Sequence, residues 1–435
     1  MKFRDSILLE FISNEKRSLI SGPFGSNISK KYFQPKGIPV IRGNNLSTGF
    51  IKFIDEGFVY VTVEKANSLN TYAVLDDLVF TAVGTLGQVG LIHEGLTYKK
   101  YVISNKQLRV RLNSKKLLPV YAFYWFSSPW MVETIKKRNV GSTVPLINLT
   151  ITKNLPIRVP IDFGLQSKIV KVLSDLDAKI ELNNKINAEL EGMAKLIYDY
   201  WFVQFEFPDK NGKPYKSSGG KMVYNKELKR EIPEGWEVCN LGDVVKNTGT
   251  GLNPRNHFKL GEGENYYVTI KNIKQGQVIL DKRCDRISDE SLAIINNRSD
   301  LRVGDILFTS IQPVGVTYLI RKKPKNWNIN ESVFTIRPDY SIMSSELLYM
   351  FLSGEYIKAY TNNASSGSIH KGIRHGTLRA CKFILPKKVI VDRFSNKINP
   401  ILNKLDLITN ENRHLSSLRD WLLPMLMNGQ VTVSR

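Results

Sequence analysis

Two stretches with a sustained heptad pattern constrain the fold of this chain most. Between positions 165 and 205 apolar residues recur in alternating steps of four and three, and the same alternation returns between positions 391 and 427. This spacing is typical of long helices that bury one narrow seam against another helix. The alternative, two separate amphipathic core helices, is disfavoured by the length over which the period holds. We therefore predict that the two stretches pair with each other.

The predicted seam of each helix carries a polar position among apolar ones. In the first helix the seam residues are Ile169, Leu173, Leu176, Ile180, Asn187, Leu190, Ile197 and Trp201. In the second helix they are Phe394, Ile398, Ile401, Leu405, Asn412, Leu415 and Leu422. Phe394 lies 225 positions after Ile169, and the same offset relates Asn412 to Asn187. Because a polar seam residue fixes register, we predict that these two asparagines stack, in a pairing whose direction the pattern leaves open.

Outside the heptad stretches, two segments of short β-rich runs and turns resemble each other. The run DDLVFTAVGTLGQVGLI at 76–92 matches GDILFTSIQPVGVTYLI at 304–320, and blocks on either side match with similar offsets. We interpret the chain as one unit, an α/β domain followed by a long helix, present twice. The predicted fold class is α+β, with two duplicated α/β domains joined by the paired helices into a dumbbell of pseudo-twofold character. The predicted boundaries are 1–160 for the first domain, 161–206 for the first helix, 207–386 for a linker and the second domain, and 387–435 for the second helix.

The net charge of +22 indicates a polyanionic partner, because such an excess costs folding stability through self-repulsion. A membrane surface is the competing explanation. No apolar run approaches the roughly 20 residues that span a bilayer, and the N-terminal sequence lacks the apolar core of a signal peptide. The three cysteines have neither disulfide-framework nor zinc-ligand spacing. We expect a cytoplasmic protein with no membrane association and no structural metal.

Motifs of catalysis are missing from the sequence. There is no GxxxxGK[ST] phosphate loop, no metal-ligand spacing among the five histidines, and no Asn/Asp-Pro-Pro-Tyr/Phe tetrapeptide of the kind found in amino-methyltransferases. An enzyme with an unrecognised site therefore ranks low. We expect the chain to bind its partner without catalysing a reaction.

Matching loops in the two halves carry the residue types that contact DNA phosphates and base edges. In the first half the candidates are Ser26, Asn27, Lys30, Lys31, Arg42, Asn44, Asn45, Arg138, Ser142 and Thr143. In the second half they are Asn253, Arg255, Asn256, Lys271, Asn272, Lys274, Ser366, Ser368, His370, Lys371 and Arg374. Any one of them could instead form a turn or a solvated face, but the set and the charge together favour DNA. The aromatic run at 121–130 could stack on bases, yet its helical pattern favours a place in the core.

Several motifs together resemble the specificity (S) subunit of type I restriction–modification systems, over nearly the whole chain. They are SGPFGSNI with GIPVIRGNNL near the start, GDILFT and GSTVPLINLT in later blocks, LEGMAKLIYDYWF at 190–202, IPEGWEVCNLGDV at 232–244 and LRDWLLPMLMNGQV at 418–431. The first half lacks the Trp-Glu-Val-type opening that the second half has.

The resemblance implies a division of labour between this chain and its partners. Each α/β domain would read one half of a bipartite, asymmetric site in double-stranded DNA, and the long helices would pair antiparallel, set the unread spacer and dock two methylation (M) subunits. Those subunits would use S-adenosylmethionine for adenine-N6 transfer, and motor–nuclease (R) subunits would use ATP and magnesium. This chain would hold no cofactor and catalyse nothing. The alternative is a standalone DNA-binding scaffold or regulator without restriction–modification partners.

Overall fold

The computed structural model describes residues 2–274, 276–364, 372–431 and 433. The chain divides into two compact units: unit 1 is Met1–Lys185 with Thr409–Arg435, and unit 2 is Ile186–Ile408. This division cuts across both long helices, so each unit combines one α/β domain with one segment of each helix. The four sequence-based boundaries given above stay a prediction. No helix in the described ranges combines the length and apolar character that crossing a membrane requires.

Unit 1 contains two four-stranded sheets and a separate strand pair. Its strands are β1 (Phe3–Ile7), β2 (Leu19–Ser21), β3 (Ile38–Ile41), β4 (Val59–Val61), β5 (Tyr72–Val74), β6 (Leu78–Thr81), β7 (Val89–Leu91), β8 (Lys100–Ile103), β9 (Gln107–Val110) and β10 (Pro156–Pro160). Its helices are α1 (Val63–Leu69), α2 (Pro119–Ser127), α3 (Pro129–Lys137), α4 (Leu149–Lys153) and the start of α5 (Phe163–Tyr198). The sheet orders are β2-β9-β6-β7 and β4-β3-β8-β5, with β3 and β8 parallel, and β1 pairs with β10.

The core of unit 1 explains two features of its sequence. All four residues of β6, Leu78 to Thr81, are buried, which is why the strand shows no alternation of apolar and polar residues. Helix α2 buries eight of its nine residues, so its aromatic side chains form core and not a stacking platform. The core role expected for the aromatic run is therefore confirmed.

Unit 2 repeats much of this topology; in the residues that the structure describes, its second sheet has three strands in place of four, and it has two additional strand pairs. Its strands are β11 (Met222–Asn225), β12 (Arg230–Pro233), β13 (Glu237–Asn240), β14 (Val245–Thr250), β15 (Asn265–Val268), β16 (Ile273–Lys274), β17 (Gln277–Val278), β18 (Asp285–Ile287), β19 (Ile306–Thr309), β20 (Thr317–Leu319), β21 (Trp327–Ile329), β22 (Val333–Pro338) and β23 (Lys382–Leu385). Its helices are α6 (Asp289–Arg298), α7 (Ser345–Ser353), α8 (Glu355–Ala364), α9 (His375–Arg379) and the start of α10 (Lys388–Asn428). The order β14-β22-β19-β20 repeats β2-β9-β6-β7, and β15 is parallel to β21 as β3 is to β8. The predicted duplication is confirmed.

The two long helices, of 36 and 41 residues, pack against each other within each unit. In unit 1, Ile169 and Leu173 of α5 share a core with Leu423 and Leu426 of α10. Along this segment residue numbers rise on α5 as they fall on α10, so the helices are antiparallel. In unit 2, the rings of Trp201, in a π-helical turn after α5, and Phe394 of α10 lie 5.7 Å apart. The predicted antiparallel pairing is confirmed.

The other predicted seam residues line the same helix faces. Ile398 is buried, whereas the remainder are half-buried: Leu176, Ile180, Leu190, Ile197, Ile401, Leu405, Leu415 and Leu422. The apolar seam is thus partly open to solvent along the middle of the helices.

The predicted stacking of Asn187 on Asn412 is wrong. Asn412 accepts a hydrogen bond from Asn183 (2.8 Å) and donates one to Asn184 (2.9 Å). In the described part of the chain, Oδ1 of Asn187 is buried without a partner. The prediction aligned equivalent turns of two duplicated helices by their offset along the chain. Antiparallel packing instead brings opposite ends of the duplicated sequence together.

The first strand of unit 1 lies beside the end of α10. Gly429 follows this helix with a φ of +74°, and a Cβ there would lie 2.4 Å from the Phe3 ring. Val431 and Val433 pack with Phe3 on the same core. Glycine is needed at position 429 because the left-handed backbone and the close ring both exclude a side chain.

Candidate nucleic-acid interface

Five loops of unit 1 lie together at the ends of its strands. They are 22–32, 42–47, 82–88, 104–106 and 139–147. The backbone hydrogen bonds that hold them include those from Ser104 to Ile41 (3.1 Å), from Ala82 to Lys106 (2.7 Å) and from Ile147 to Ala82 (2.9 Å), each from the first residue's N–H to the second residue's carbonyl oxygen. In addition, Nε2 of Gln88 donates to the carbonyl oxygens of Gly43 and Leu46. We call this set of loops loop face 1.

Unit 2 builds the same scaffold from different residues. Its loops are 251–258, 269–274, 310–316, 330–332 and 372–374. The matching bonds run from Asn330 to Val268 (2.9 Å), from Ser310 to Ser332 (2.9 Å) and from Ile373 to Ser310 (2.8 Å), again from N–H to carbonyl oxygen. We call this set loop face 2. One backbone framework therefore presents two different sets of side chains.

A glycine at the same place in each face lets the first loop approach the sheet closely. A Cβ on Gly22 would lie 1.8 Å from the carbonyl oxygen of Ser104, and one on Gly251 would lie 1.7 Å from that of Ile329. No side chain fits at such a distance. Both glycines are therefore required by the backbone contact between the first loop and the strand beside it.

The structure places most predicted residues of the first half on the surface of loop face 1. The exposed ones are Ser26, Asn27, Lys30, Lys31, Asn44, Ser142 and Thr143. Arg42 and Arg138 are half-buried and hold loops in place: Arg42 donates to the carbonyl oxygen of Gly57 (3.3 Å) and Arg138 to that of Asn154 (2.6 Å). The exposed set remains a prediction for DNA contact.

In the second half, the exposed predicted residues are Asn253, Arg255, Asn256, Lys271, Lys274 and Arg374. The amide of Asn253 is already engaged, because Oδ1 accepts from the Arg255 N–H (2.9 Å) and Nδ2 donates to Glu331 (2.8 Å). Four further candidates lie outside the described residues: Ser366, Ser368, His370 and Lys371.

Asn45 and Asn272 do not fit the predicted role of DNA contacts. Both are buried at matching turns, and each accepts a backbone hydrogen bond three residues back, Asn45 from Arg42 N–H and Asn272 from Thr269 N–H (both 2.9 Å). Nδ2 of Asn45 also donates to two carbonyl oxygens. The prediction for these two residues is wrong, because their side chains cap short 3₁₀ turns that shape the loops.

The charge on the loop faces is available to a ligand. Within the described ranges, Lys30, Lys106 and Lys271 are exposed and form no ion pair with a carboxylate. Phosphate oxygens are the partners that such lysines take in protein–DNA contacts. Loop face 2 also holds an open cavity of about 500 Å³, whose lining includes Arg255, Phe258, Tyr267, Asp285 and Glu331.

Sequence reasoning missed four residues of these faces. Asn105 and Lys106 form the exposed tip of loop 104–106, Glu331 forms that of loop 330–332, and the Phe24 side chain is 84% exposed. A short polar turn between two β-rich runs occurs in both halves and could have marked the first three. Nothing in the sequence separates Phe24 from a core aromatic.

Comparison with known proteins agrees with this geometry. The family profile of the type I restriction modification DNA specificity domain matches residues 25–192 and again 233–416. The chain is 25% identical over 366 residues to the type I restriction enzyme MjaIX specificity subunit of Methanocaldococcus jannaschii, covering 82% of this chain and 78% of the relative. It is 25% identical over 383 residues to the HindI specificity subunit of Haemophilus influenzae, covering 76% and 81%.

A solved structure supports the fold. The crystal structure of a type I restriction–modification S subunit from M. genitalium superposes with a TM-score of 0.58 at 15% identity, covering 98% of this chain and 96% of that one. The fold is thus shared although few residues are. The two profile matches, which span most of both α/β domains and reach into both long helices, confirm the resemblance found in the sequence. This chain therefore belongs to the family of type I restriction–modification DNA specificity proteins.

Proposed function

We propose that the chain is the DNA sequence-recognition subunit of a type I restriction–modification complex. Each loop face reads one half of a bipartite, asymmetric DNA site. The observation that carries the proposal is the duplicated scaffold of the two faces, on which the exposed side chains differ. A duplicated scaffold with one side-chain set would favour a symmetric site, whereas two sets favour two unlike half-sites.

The chemistry of the faces suits this role. Exposed lysines such as Lys30 and Lys271 supply phosphate contacts that position the protein, and amide and hydroxyl groups supply contacts to base edges. The net charge of +22 strengthens association with any duplex. Binding should therefore weaken with salt, by a slope of about −0.9 per neutralised phosphate in a double-logarithmic plot.

The partners follow from the family and from the long helices. Two methylation subunits would bring S-adenosylmethionine and transfer a methyl group to adenine N6, and motor–nuclease subunits would bring ATP and magnesium. Large apolar side chains that remain exposed on α5 and α10 offer docking positions for such subunits: Leu182, Met193, Leu196, Leu407 and Trp421. In this proposal the chain selects the site and contributes no catalytic group.

Co-expression with a cognate methylation subunit tests the proposal. The pair is expressed in a host without adenine methylation, and the methylated adenines of the host genome are sequenced. We expect one bipartite motif with a constant unread spacer. Replacing residues 1–160 by the corresponding domain of a relative should change one half of that motif and leave the other half unchanged. Absence of any sequence-dependent methylation, or a change in both halves, would contradict the proposal.

A further inference from the structure

The matching tips of the two loop faces carry side chains of different hydrogen-bonding character. Loops 104–106 and 330–332 are held by equivalent backbone bonds on both sides, which places Glu331 where loop face 1 has Asn105. An amide both donates and accepts, whereas a carboxylate at neutral pH only accepts. At this one position, therefore, loop face 1 can contact a donor or an acceptor, whereas loop face 2 can contact only a donor.

The Glu331 carboxylate is held in place with one oxygen largely free. Oε1 accepts from Nδ2 of Asn253 (2.8 Å), and Asn253 is itself fixed by its bond to the Arg255 N–H. Within the described ranges, Oε2 has the Tyr267 hydroxyl at 3.4 Å as its one partner, and that hydroxyl also donates to the carbonyl oxygen of Leu252. Burial, and next the charge of Glu331, raise the pKa of the Tyr267 phenol far above its usual value, so it stays protonated.

The surroundings of Glu331 leave its negative charge without a cationic partner. Among the described residues it forms no ion pair with a lysine or arginine, and it lies at the wall of the open cavity of about 500 Å³. A carboxylate at that place repels DNA phosphates. It therefore weakens binding to DNA unless it meets a hydrogen-bond donor.

The donors that a duplex offers in its major groove are the exocyclic amino groups of cytosine (N4) and adenine (N6), and Glu is a known acceptor from cytosine N4. We propose that Glu331 is a specificity-determining residue that accepts a hydrogen bond from such an amino group in the half-site read by unit 2, with Asn253 as a positioning residue. This inference rests on the proposed function.

The test measures affinity for DNA that lacks single amino groups. The complex of this chain with its methylation subunit is bound to duplexes containing its methylated motif. In these duplexes each cytosine in turn is replaced by 2-pyrimidinone, and each adenine by purine. We expect the unaltered protein to lose affinity on the order of ten- to a hundredfold at one position of one half-site. If the base at that position is a cytosine, the contacted group is its N4 amino group; if it is an adenine, the contacted group is its N6 amino group.

Glu331→Ala and Glu331→Asp are the test variants, and Glu262→Ala is the control. The first removes the acceptor oxygens, and the second withdraws them by one methylene group. Glu262 is exposed in the same domain and does not line the cavity, so its variant removes the same charge without altering the contact. Both Glu331 variants should bind the amino-deficient duplex and the natural duplex within about twofold of each other, whereas Glu262→Ala should discriminate like the unaltered protein.

The outcomes separate this inference from the proposed function. If both Glu331 variants keep the full loss at every altered base, Glu331 makes no such contact and the inference fails alone. If the unaltered complex methylates no bipartite motif, the proposed function fails and the inference with it. Thiol protection of the three cysteines, all of which lie in unit 2, shows whether a variant that binds no duplex has unfolded. If one of the two Glu331 variants has unfolded, the discrimination measured with the other variant tests the inference.

Discussion

Replacing Arg419 by methionine should destabilise unit 1 by about 3 kcal/mol. Nη1 of Arg419 lies 2.8 Å from Oδ1 of Asp177, and the two side chains are each only 14% exposed. Oδ2 of the same carboxylate accepts from the Tyr124 hydroxyl at 2.6 Å. Removing one partner of a buried ion pair costs about 3–5 kcal/mol, because the other charge stays behind unpaired. We expect the lower end, since Tyr124 continues to donate to Asp177.

Arg419 makes a second contact that adds to this cost. Its guanidinium lies 4.3 Å from the centre of the Phe50 ring, which is worth about 0.5–1 kcal/mol at a partly exposed site. Methionine retains much of the apolar stem, so lost packing should contribute little. The double variant Arg419→Met with Asp177→Asn should recover most of the stability, because it leaves no buried charge unpaired. Asp420, which also loses its ion pair with Arg419, is 57% exposed.

The matched control is an exposed ion pair between the same two helices. Lys179 lies 3.5 Å from Glu411, with side chains 45% and 46% exposed. Exposed pairs contribute about 0–1 kcal/mol, so Lys179→Met should change the stability of unit 1 by no more than that. Burial, and not the mere presence of an ion pair, decides between the two outcomes.

Hydrogen exchange followed by mass spectrometry measures the effect unit by unit. Peptides from α2 and from the first half of α5 report the opening free energy of unit 1, and peptides from β19 and β22 serve as an internal reference. The reasoning is refuted if Arg419→Met lowers the opening free energy of unit 1 by less than 1 kcal/mol. It is also refuted if Lys179→Met costs as much, or if the double variant is less stable than Arg419→Met alone.

Two further predictions concern unit 2. Gly251→Ala should lower the free energy of unfolding of unit 2 by about 1–3 kcal/mol in a urea titration, because the new methyl group would lie 1.7 Å from a backbone oxygen. The control Gly249→Ala, whose methyl group meets no atom within 4 Å, should change it by less than about 1 kcal/mol. Equal effects of the two variants would contradict the close-approach explanation. Burial raises the pKa of the thiols of Cys239, Cys284 and Cys381 to about 11. The thiolate, which is the nucleophile, is therefore scarce at pH 8, so iodoacetamide should label native protein slowly and faster as the pH rises toward 11; rapid labelling of all three at pH 8 would contradict this.

The two long helices could be predicted because the apolar residues of their seams recur with a regular period. The register in which the helices pair could not be predicted. Leu173 and Phe394 fall on the heptad pattern, and both are fully buried. The partner of Asn412 depends on the direction in which the helices run, which a pattern within one helix does not contain. Aligning the two halves of the sequence paired each residue of α5 with its duplicated counterpart in α10, whereas in the folded chain the start of α5 packs against the end of α10.

The loop faces were predictable as places but not residue by residue. Asparagine caps turns and reads bases with the same atoms, so Asn45 and Asn27 look equivalent in the sequence although one is buried and the other exposed. Glu331 was overlooked because a search guided by positive charge passes over carboxylates. Its role depends on the position of its loop beside Asn253, which only the folded backbone shows.

The contact between Phe3 and Gly429 brings the first strand of unit 1 beside the end of α10, so the contacts within each unit do not depend on which recognition domain comes first in the chain. In a variant trimmed to residues 3–431, a short peptide across this contact would form a ring, and the ring could be reopened at the turn 209–213 of unit 2. The rearranged polypeptide would begin with the domain that now comes second, yet it would keep the strand pairings and helix contacts of both units. Shuffling by rearrangement within the gene, and not only by exchange of domains between genes, is therefore open to a protein built in this way.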